Sequence, residues 1–168
     1  SKEGLKNSLF IPIKGNNFNG HDFILDAFKN GSVASIIEKG FLKKINIKQL
    51  ENKIIIPVEN SLDSLNKLAK YSRKRIKNLN MICITGSAGK TTIKNWLTII
   101  LSDYFNVHSS IGNYNNHIGL PLSLSRMKSK SEICVLELGM NQKGEIKKLS
   151  NLSKPNISLI TNIGPAHL

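Results

Sequence analysis

Residues Met81 to Thr92 read Met-Ile-Cys-Ile-Thr-Gly-Ser-Ala-Gly-Lys-Thr-Thr, an apolar run that passes directly into a glycine-broken loop ending in a lysine and two threonines. A short apolar run of this kind reads as a buried strand. Two glycines let the backbone bend so that several N–H groups face one anion, and a helix starting near Lys90 sets its positive end against the same anion. Lys90 adds a cation. The hydroxyl of Thr91 stands where loops of this type ligate the magnesium that bridges terminal phosphates. Gly86, Ser87, Ala88, Gly89, Lys90, Thr91 and Thr92 are therefore the expected phosphate cradle for ATP. The loop is a shortened form of the usual motif, because the position five before Gly89, commonly glycine, is Ile84 and belongs to the strand.

The segments around the cradle alternate in type. A strand at 81–85 is followed by a helix from about 90 to 103, a strand near 106–108 and a polar loop at 111–117 with a helix after it. A strand at 132–138, a helix at 143–152 and a strand at 157–161 complete the series. Such alternation implies a parallel sheet flanked by helices, with ligands at the carboxyl ends of the strands. The first sixty residues read as a small α/β unit. It has strands at 8–13, 33–38 and 54–58 and one helix at 21–30, with Phe23, Ile24, Ala27 and Phe28 on its buried face and Gly31 as its stop. Leu62, Leu65, Leu68, Ala69 and Ile76 recur at helical spacing from about Ser61 to Lys77, with Asn60 or Ser61 as the cap. The expected organisation is α/β throughout: an N-terminal domain over 1–60, a connecting helix and linker over 61–80, and a parallel-sheet ATPase domain over 81–168.

The strand-end rule singles out further polar residues. One strand ends in Glu137-Leu-Gly-Met140 and another in Thr161-Asn-Ile-Gly-Pro-Ala-His167, so Glu137 and His167 emerge on the same sheet edge as the cradle. A carboxylate and an imidazole there can hold a hard divalent cation, directly or through water. The loop from Gly112 to Pro121 carries the amides of Asn113, Asn115 and Asn116, which can both donate to and accept from a polar substrate.

A formal net charge of +13 raises the question of nucleic acid. All but three of the 24 basic residues are lysine, the exceptions being Arg73, Arg75 and Arg126. The lysines are scattered, whereas phosphate and base readers lean on the planar fork of arginine. The densest cluster, Lys70, Arg73, Lys74, Arg75 and Lys77, has no interleaved aromatics. Lysine-rich composition of the kind an A+T-rich genome produces accounts for the charge better than a nucleic-acid surface does, and an anionic substrate benefits from the same field. No apolar stretch approaches the roughly 20 residues that span a bilayer, and the first residues lack the apolar core of a signal peptide. Cytoplasmic residence without membrane insertion is the expectation. Cys83 and Cys134 each sit in a strand-like apolar run, as buried thiols do.

Four ordered motifs, Ile84–Thr92, Gly112–Pro121, Glu137–Ile146 and Thr161–Leu168, together resemble the Mur ligases of peptidoglycan synthesis. The closest likeness is to the branch that adds D-alanyl-D-alanine. The stretches Ser8–Gly15 and Asn19–Phe23 look like the uridine-nucleotide-binding domain of that branch, so the resemblance covers essentially the whole chain. It implies an ATP-dependent carboxylate-amine ligase that uses Mg2+ and acts on UDP-N-acetylmuramoyl-tripeptide and D-alanyl-D-alanine through an acyl phosphate, as a monomer. It also implies roles. Lys90, Glu137 and His167 serve catalysis; Thr91 and Glu137 hold one metal and His167 a second; Asn113 and Asn116 orient substrate. Ser1 and Lys2 stand where the family has serine and arginine at the uridine end.

Family members continue well beyond the histidine of the fourth motif, so the chain is expected to be a front portion that binds nucleotide without completing the ligase reaction alone. Two alternatives stay open on the residues. One is another ligase of the superfamily, of the third-residue-adding or folylpolyglutamate type; the other is a basic nucleotide- or nucleic-acid-binding protein with the same phosphate loop and no ligase activity.

Overall fold

The computed structural model describes residues 6–15, 17–45 and 50–164. The chain divides into two compact units, Ser1–Leu65 and Asn66–Leu168.

In the first unit, β1 (Ser8–Phe10), β2 (Ser32–Glu38) and β3 (Ile54–Val58) form a parallel three-stranded sheet in that order. The strand expected over 8–13 is cut short at Phe10, next to Ile11 and Pro12; proline has no N–H to give to a ladder. The helix expected over 21–30 is also divided. A 3-10 turn over Gly20–Phe23 leads into α1 (Ile24–Lys29). The cause is Asn19, whose side-chain oxygen accepts from both the backbone N–H and Nδ1 of His21 and tightens the first turn. Ile24 and Phe28 bury against Ile37 and Leu50, whereas Phe23, expected in the core, is half exposed. A short helix that the sequence did not suggest, α2 (Lys39–Leu42), follows β2 directly and packs Phe41 and Leu42 on the same core.

The helix α3 (Ser61–Arg75) starts where Asn60 Oδ1 accepts the N–H of Asp63, a side-chain cap on the third helical residue. The second unit then runs β4 (Asn80–Thr85), α4 (Lys90–Ser102), β5 (Val107–Ser109), α5 (Gly119–Ser125), β6 (Ile133–Glu137), α6 (Glu145–Ser153) and β7 (Ile157–Ile160). Its four strands are all parallel, in the order β5-β6-β4-β7, which confirms the α/β parallel-sheet class. Alternate residues of β4 feed two cores. Met81 and Cys83 join Cys134, Leu136, Leu120 and Leu149 on one side, while Ile84 joins Val135 and the α4 residues Ile93, Leu97 and Leu101 on the other. Both cysteines are buried and free.

This double burial fixes the register on which the rest depends. Each fully buried aliphatic side chain contributes roughly 1.5–3 kcal/mol, and a slip of one residue would turn both sets to the wrong face. In the observed register Ile84 lies opposite Glu137, and Thr85 lies opposite Ile160. The loops that follow β4, β6 and β7 therefore leave the sheet side by side.

Candidate functional site

The turn from β4 into α4 is built on two unusual glycines. Gly86 has φ +133°, and a Cβ there would fall 2.1 Å from Thr161 Oγ1 and 2.9 Å from Asn162 O, so only glycine fits. Gly89, with φ +81°, is the N-cap of α4. Between them the Lys90 ammonium folds back over the loop and donates to Gly86 O at 2.6 Å and Ser87 O at 3.2 Å. The segment after β7 clamps the same loop from the other side. Ser87 N–H donates to Asn162 O, Ala88 N–H donates to Asn162 Oδ1 at 2.9 Å, and Thr161 Oγ1 donates to Ala88 O at 2.6 Å. Asn162 and Thr161 had no place among the expected site residues, although the strand-end rule that selected Glu137 applies to them equally.

Glu137, at the end of β6, is 2% exposed and has a donor on each carboxylate oxygen. Thr91 Oγ1 donates to Oε2 at 2.6 Å, and Asn115 Nδ2 donates to Oε1 at 2.6 Å. Thr91 and Glu137 are thus brought together, and the threonine oxygen keeps lone pairs that a hard cation can use. Among the described residues no group of three or more His, Cys, Asp and Glu forms a cage that would hold a metal by itself. A single carboxylate beside a hydroxyl and a phosphate cradle is the donor set that suits Mg2+, which keeps several waters and takes its remaining ligands from substrate phosphates.

The asparagine loop divides its labour differently from the expectation. Asn116 Oδ1 accepts the N–H groups of Ile118 and Gly119 at the start of α5, which gives that side chain a local capping task. Asn113 is exposed on the cleft. Asn115 is the amide that reaches Glu137, and its backbone oxygen accepts the N–H of Gly139, so the loop is tied to the end of β6 twice. The cradle, this loop and the start of α6 enclose a cleft of about 780 Å³ whose lining includes Lys90, Asn113, Asn115, Asn116 and Lys148. Ser87 lines it as well, Ala88 and Gly89 complete the turn, and Thr92 is exposed on the first turn of α4. His167, Ser1 and Lys2 lie outside the described residues.

Both arginines of the basic cluster lie on α3 and are engaged in packing, while Lys70, Lys74 and Lys77 are exposed. Arg73 Nε donates to Ser153 O at the end of α6, and Arg75 donates to Met127 O beyond α5.

The model of the Mur ligase middle domain matches residues 84–168, the segment that contains the cradle, the asparagine loop and Glu137. The chain belongs to the Mur ligase family. A curated relative from Rickettsia prowazekii, named UDP-N-acetylmuramoyl-tripeptide--D-alanyl-D-alanine ligase, is 45% identical over all of this chain and 36% of its own length. A relative of the same name from Bacillus subtilis is 41% identical over 97% of this chain and 34% of its own. A crystal structure of MurF from Acinetobacter baumannii superposes with a TM-score of 0.83 at 31% identity, covering 100% of this chain and 36% of that one. A Thermotoga maritima MurF ligase solved in complex with ADP gives a TM-score of 0.79 at 35% identity, covering 100% of this chain and 38% of that one. The chain therefore spans about a third of the length of the curated Mur ligases it matches.

Proposed function

We propose that this chain forms the front portion of an ATP- and Mg2+-dependent ligase that joins D-alanyl-D-alanine to UDP-N-acetylmuramoyl-tripeptide in peptidoglycan synthesis. The observation that carries the reading is the meeting of Thr91 and Glu137 at 2.6 Å directly beside the Lys90 loop, inside a Mur ligase middle domain. Relatives from two organisms that bear this ligase's name, and one structure of the kind solved with ADP, support the choice of branch and of nucleotide. In this reading the unit of β1–β3 takes the uridine nucleotide, with Ser1 and Lys2 at its uridine end on the resemblance alone. The unit of β4–β7 takes ATP.

The chemistry asks for placement rather than for a nucleophilic side chain. A carboxylate oxygen of the tripeptide attacks the γ-phosphorus and ADP leaves; the amine of D-alanyl-D-alanine then attacks the acyl carbon and phosphate leaves. The backbone N–H groups of the turn from Gly86 to Thr92 other than those of Ser87 and Ala88, which donate to Asn162, face the phosphates with the Lys90 ammonium and oppose charge as it develops. Thr91 and Glu137 are the residues that would hold Mg2+, which would supply further charge neutralisation at the phosphates. Asn113 and Asn116 border the space for the UDP-linked substrate, and His167 is assigned to a second metal on the resemblance. The reaction belongs in the cytoplasm, with its nucleotide-linked substrate, and is carried out by a monomer.

The test has two parts. ADP and a non-hydrolysable ATP analogue are titrated into this chain with and without Mg2+; absence of binding under both conditions would remove the nucleotide assignment. Phosphate release is then followed for this chain joined to the remaining two thirds of the Bacillus subtilis relative. Release that requires both UDP-N-acetylmuramoyl-tripeptide and D-alanyl-D-alanine supports the reading, and release driven by a single amino acid or by glutamate and a folate assigns the chain to another branch of the superfamily.

A further inference from the structure

Lysine is almost never fully buried unless it is paired, yet Lys94 on α4 is 2% exposed. Its ammonium donates to Ser110 O at 3.0 Å and Gly112 O at 2.6 Å. Among the described residues no carboxylate forms an ion pair with it. Nor does Lys94 line the cleft, although Lys90, one turn earlier on the same helix, does. Burying a charge against two neutral carbonyls is costly relative to a methionine or leucine of similar volume. The position is therefore explained by what the two carbonyls hold in place, not by packing.

Ser110 and Gly112 form the bend that leaves β5, with Gly112 at φ +53°. Three residues further on, Asn115 donates to Oε1 of Glu137, whose Oε2 accepts from Thr91. Thr91 lies on α4 three residues before Lys94, so a ring closes: α4, Lys94, the bend at 110–112, Asn115, Glu137, Thr91 and α4 again. Both oxygens of the one buried carboxylate in the site are thus referred to a single helix, one directly through Thr91 and the other through the loop that Lys94 anchors.

We infer that Lys94 is a positioning residue for Glu137: by pinning the bend at Ser110 and Gly112 it holds the Asn115 amide against Oε1 and so sets the angle at which the carboxylate faces a nucleotide-bound cation. The inference rests on the nucleotide and metal assignment made above. Without Lys94 the carbonyls of Ser110 and Gly112 lose their ammonium donor, and Asn115 is held by its backbone bond to Gly139 N–H, which anchors the chain and leaves the side-chain amide free to turn. Glu137 then rotates about its terminal torsion, while the backbone cradle, stitched separately through Asn162, keeps its shape.

The test compares the wild-type chain with Lys94→Met, Asn115→Ala and the double variant. Mn2+ serves as the paramagnetic stand-in for Mg2+, titrated in the presence of saturating ADP, and ADP affinity without metal is measured alongside. Loss of an outer partner of a metal ligand costs about 10–100-fold in metal affinity. Lys94→Met is expected to weaken Mn2+ by about tenfold or more, within that range, and to leave metal-free ADP binding unchanged. Because Lys94 acts through Asn115, the double variant should be no weaker than the worse single one. Unchanged Mn2+ affinity in Lys94→Met, additive losses in the double variant, or an equal loss of metal-free ADP binding would each overturn the inference. A wild-type chain that binds no ADP and no Mn2+–ADP would instead overturn the site assignment on which it rests. Should Lys94→Met not fold, hydrogen exchange in the wild-type chain decides: Mg2+–ADP must slow the amides of 110–116 together with those of 90–94, and slowing confined to 90–94 would overturn the inference.

Discussion

The N–H of Ala88 donates to the side-chain oxygen of Asn162, 74 residues further along the chain, at 2.9 Å. The contact is possible because β7 pairs directly with β4, so that the residues leaving both strands meet at one corner. It turns the cradle from a loop anchored only at its ends into one braced in its middle, and Thr161 adds a second brace on Ala88 O.

Asn162→Ala leaves that brace unmade while Ser87 N–H keeps its bond to the backbone oxygen of residue 162. A net hydrogen bond of this kind contributes about 1 kcal/mol, and a unit of this size loses roughly 4–8 °C in Tm per kcal/mol. The expected result is a fall in Tm of that order with faster hydrogen exchange at 87–89. A Tm within about 1 °C of wild type, well below that range, would show that the side-chain brace adds nothing.

The two cradle glycines should respond differently to the same substitution. At Gly86 a methyl group meets Thr161 Oγ1 and the backbone of Asn162 in addition to an unfavourable φ, whereas at Gly89 none of the described residues lies within 4 Å and the φ of +81° is what is at issue. Gly86→Ala is expected to cost about 2–4 kcal/mol through combined backbone strain and overpacking, and Gly89→Ala about 1–2 kcal/mol. Urea midpoints measured on the two variants check the order, and equal losses would mean that the clash at Gly86 is relieved by movement of the 161–162 segment.

Among the described residues the Lys90 ammonium is held by two loop carbonyls alone, Gly86 O and Ser87 O. Its removal should therefore leave the fold standing and act on ligand binding. A charge-assisted hydrogen bond to phosphate contributes about 1.5–3 kcal/mol, which corresponds to roughly 10–100-fold in affinity. Lys90→Ala is expected to weaken ADP by that factor with a Tm near wild type. Calorimetric titration decides, and undiminished affinity would take Lys90 out of the phosphate site.

The parts of this architecture that were legible in the sequence share one physical property: their side-chain pattern is dictated by burial on both faces. The runs at 81–84 and 133–136 are apolar without interruption because each face of the sheet is covered, and the placement of Glu137 beside the cradle follows from strand order. What the pattern does not encode is the path of a loop. Asn113, Asn115 and Asn116 are chemically identical, and the choice of Asn115 as partner of Glu137 depends on the bond between its backbone oxygen and Gly139 N–H, which fixes the loop against β6. Lys94 had the appearance of any helical lysine, since nothing local marks a cation whose acceptors lie 16 and 18 residues away. The division of the helix at 20–29 starts from the bonds of Asn19 to His21, and helical periodicity does not show it because the ring so placed is held from outside by a tertiary bond, Glu38 N–H to His21 Nε2.

That last bond makes the first unit sensitive to acid. His21 Nδ1–H donates to Asn19 Oδ1, and Nε2 accepts the N–H of Glu38, so the ring is held as the neutral Nδ1–H tautomer. Burial lowers its pKa below the ordinary histidine value, and the nearby Glu38 and Asp22 carboxylates oppose this without reversing it. A group whose folded pKa lies below its unfolded value binds more protons when unfolded, so stability grows with rising pH through that interval. The contribution is therefore complete above about pH 6.5, the unfolded histidine value, and is lost as the pH falls below it. His108 in the second unit shifts in the same direction: burial lowers its pKa, the carbonyl of Ser123 opposes, and Lys128 adds to the lowering. The urea midpoint of the chain should thus hold between pH 8 and 7 and decline from pH 6.5 towards pH 5, roughly one unit and more below the free histidine value. His21→Asn, with a shorter side chain that cannot span from Asn19 to Glu38, should be less stable at pH 7.5 and lose part of that decline. A decline of unchanged size in His21→Asn would assign the acid sensitivity to His108 or to carboxylates, and a midpoint that rises on acidification would show that the sign of the His21 shift is wrong.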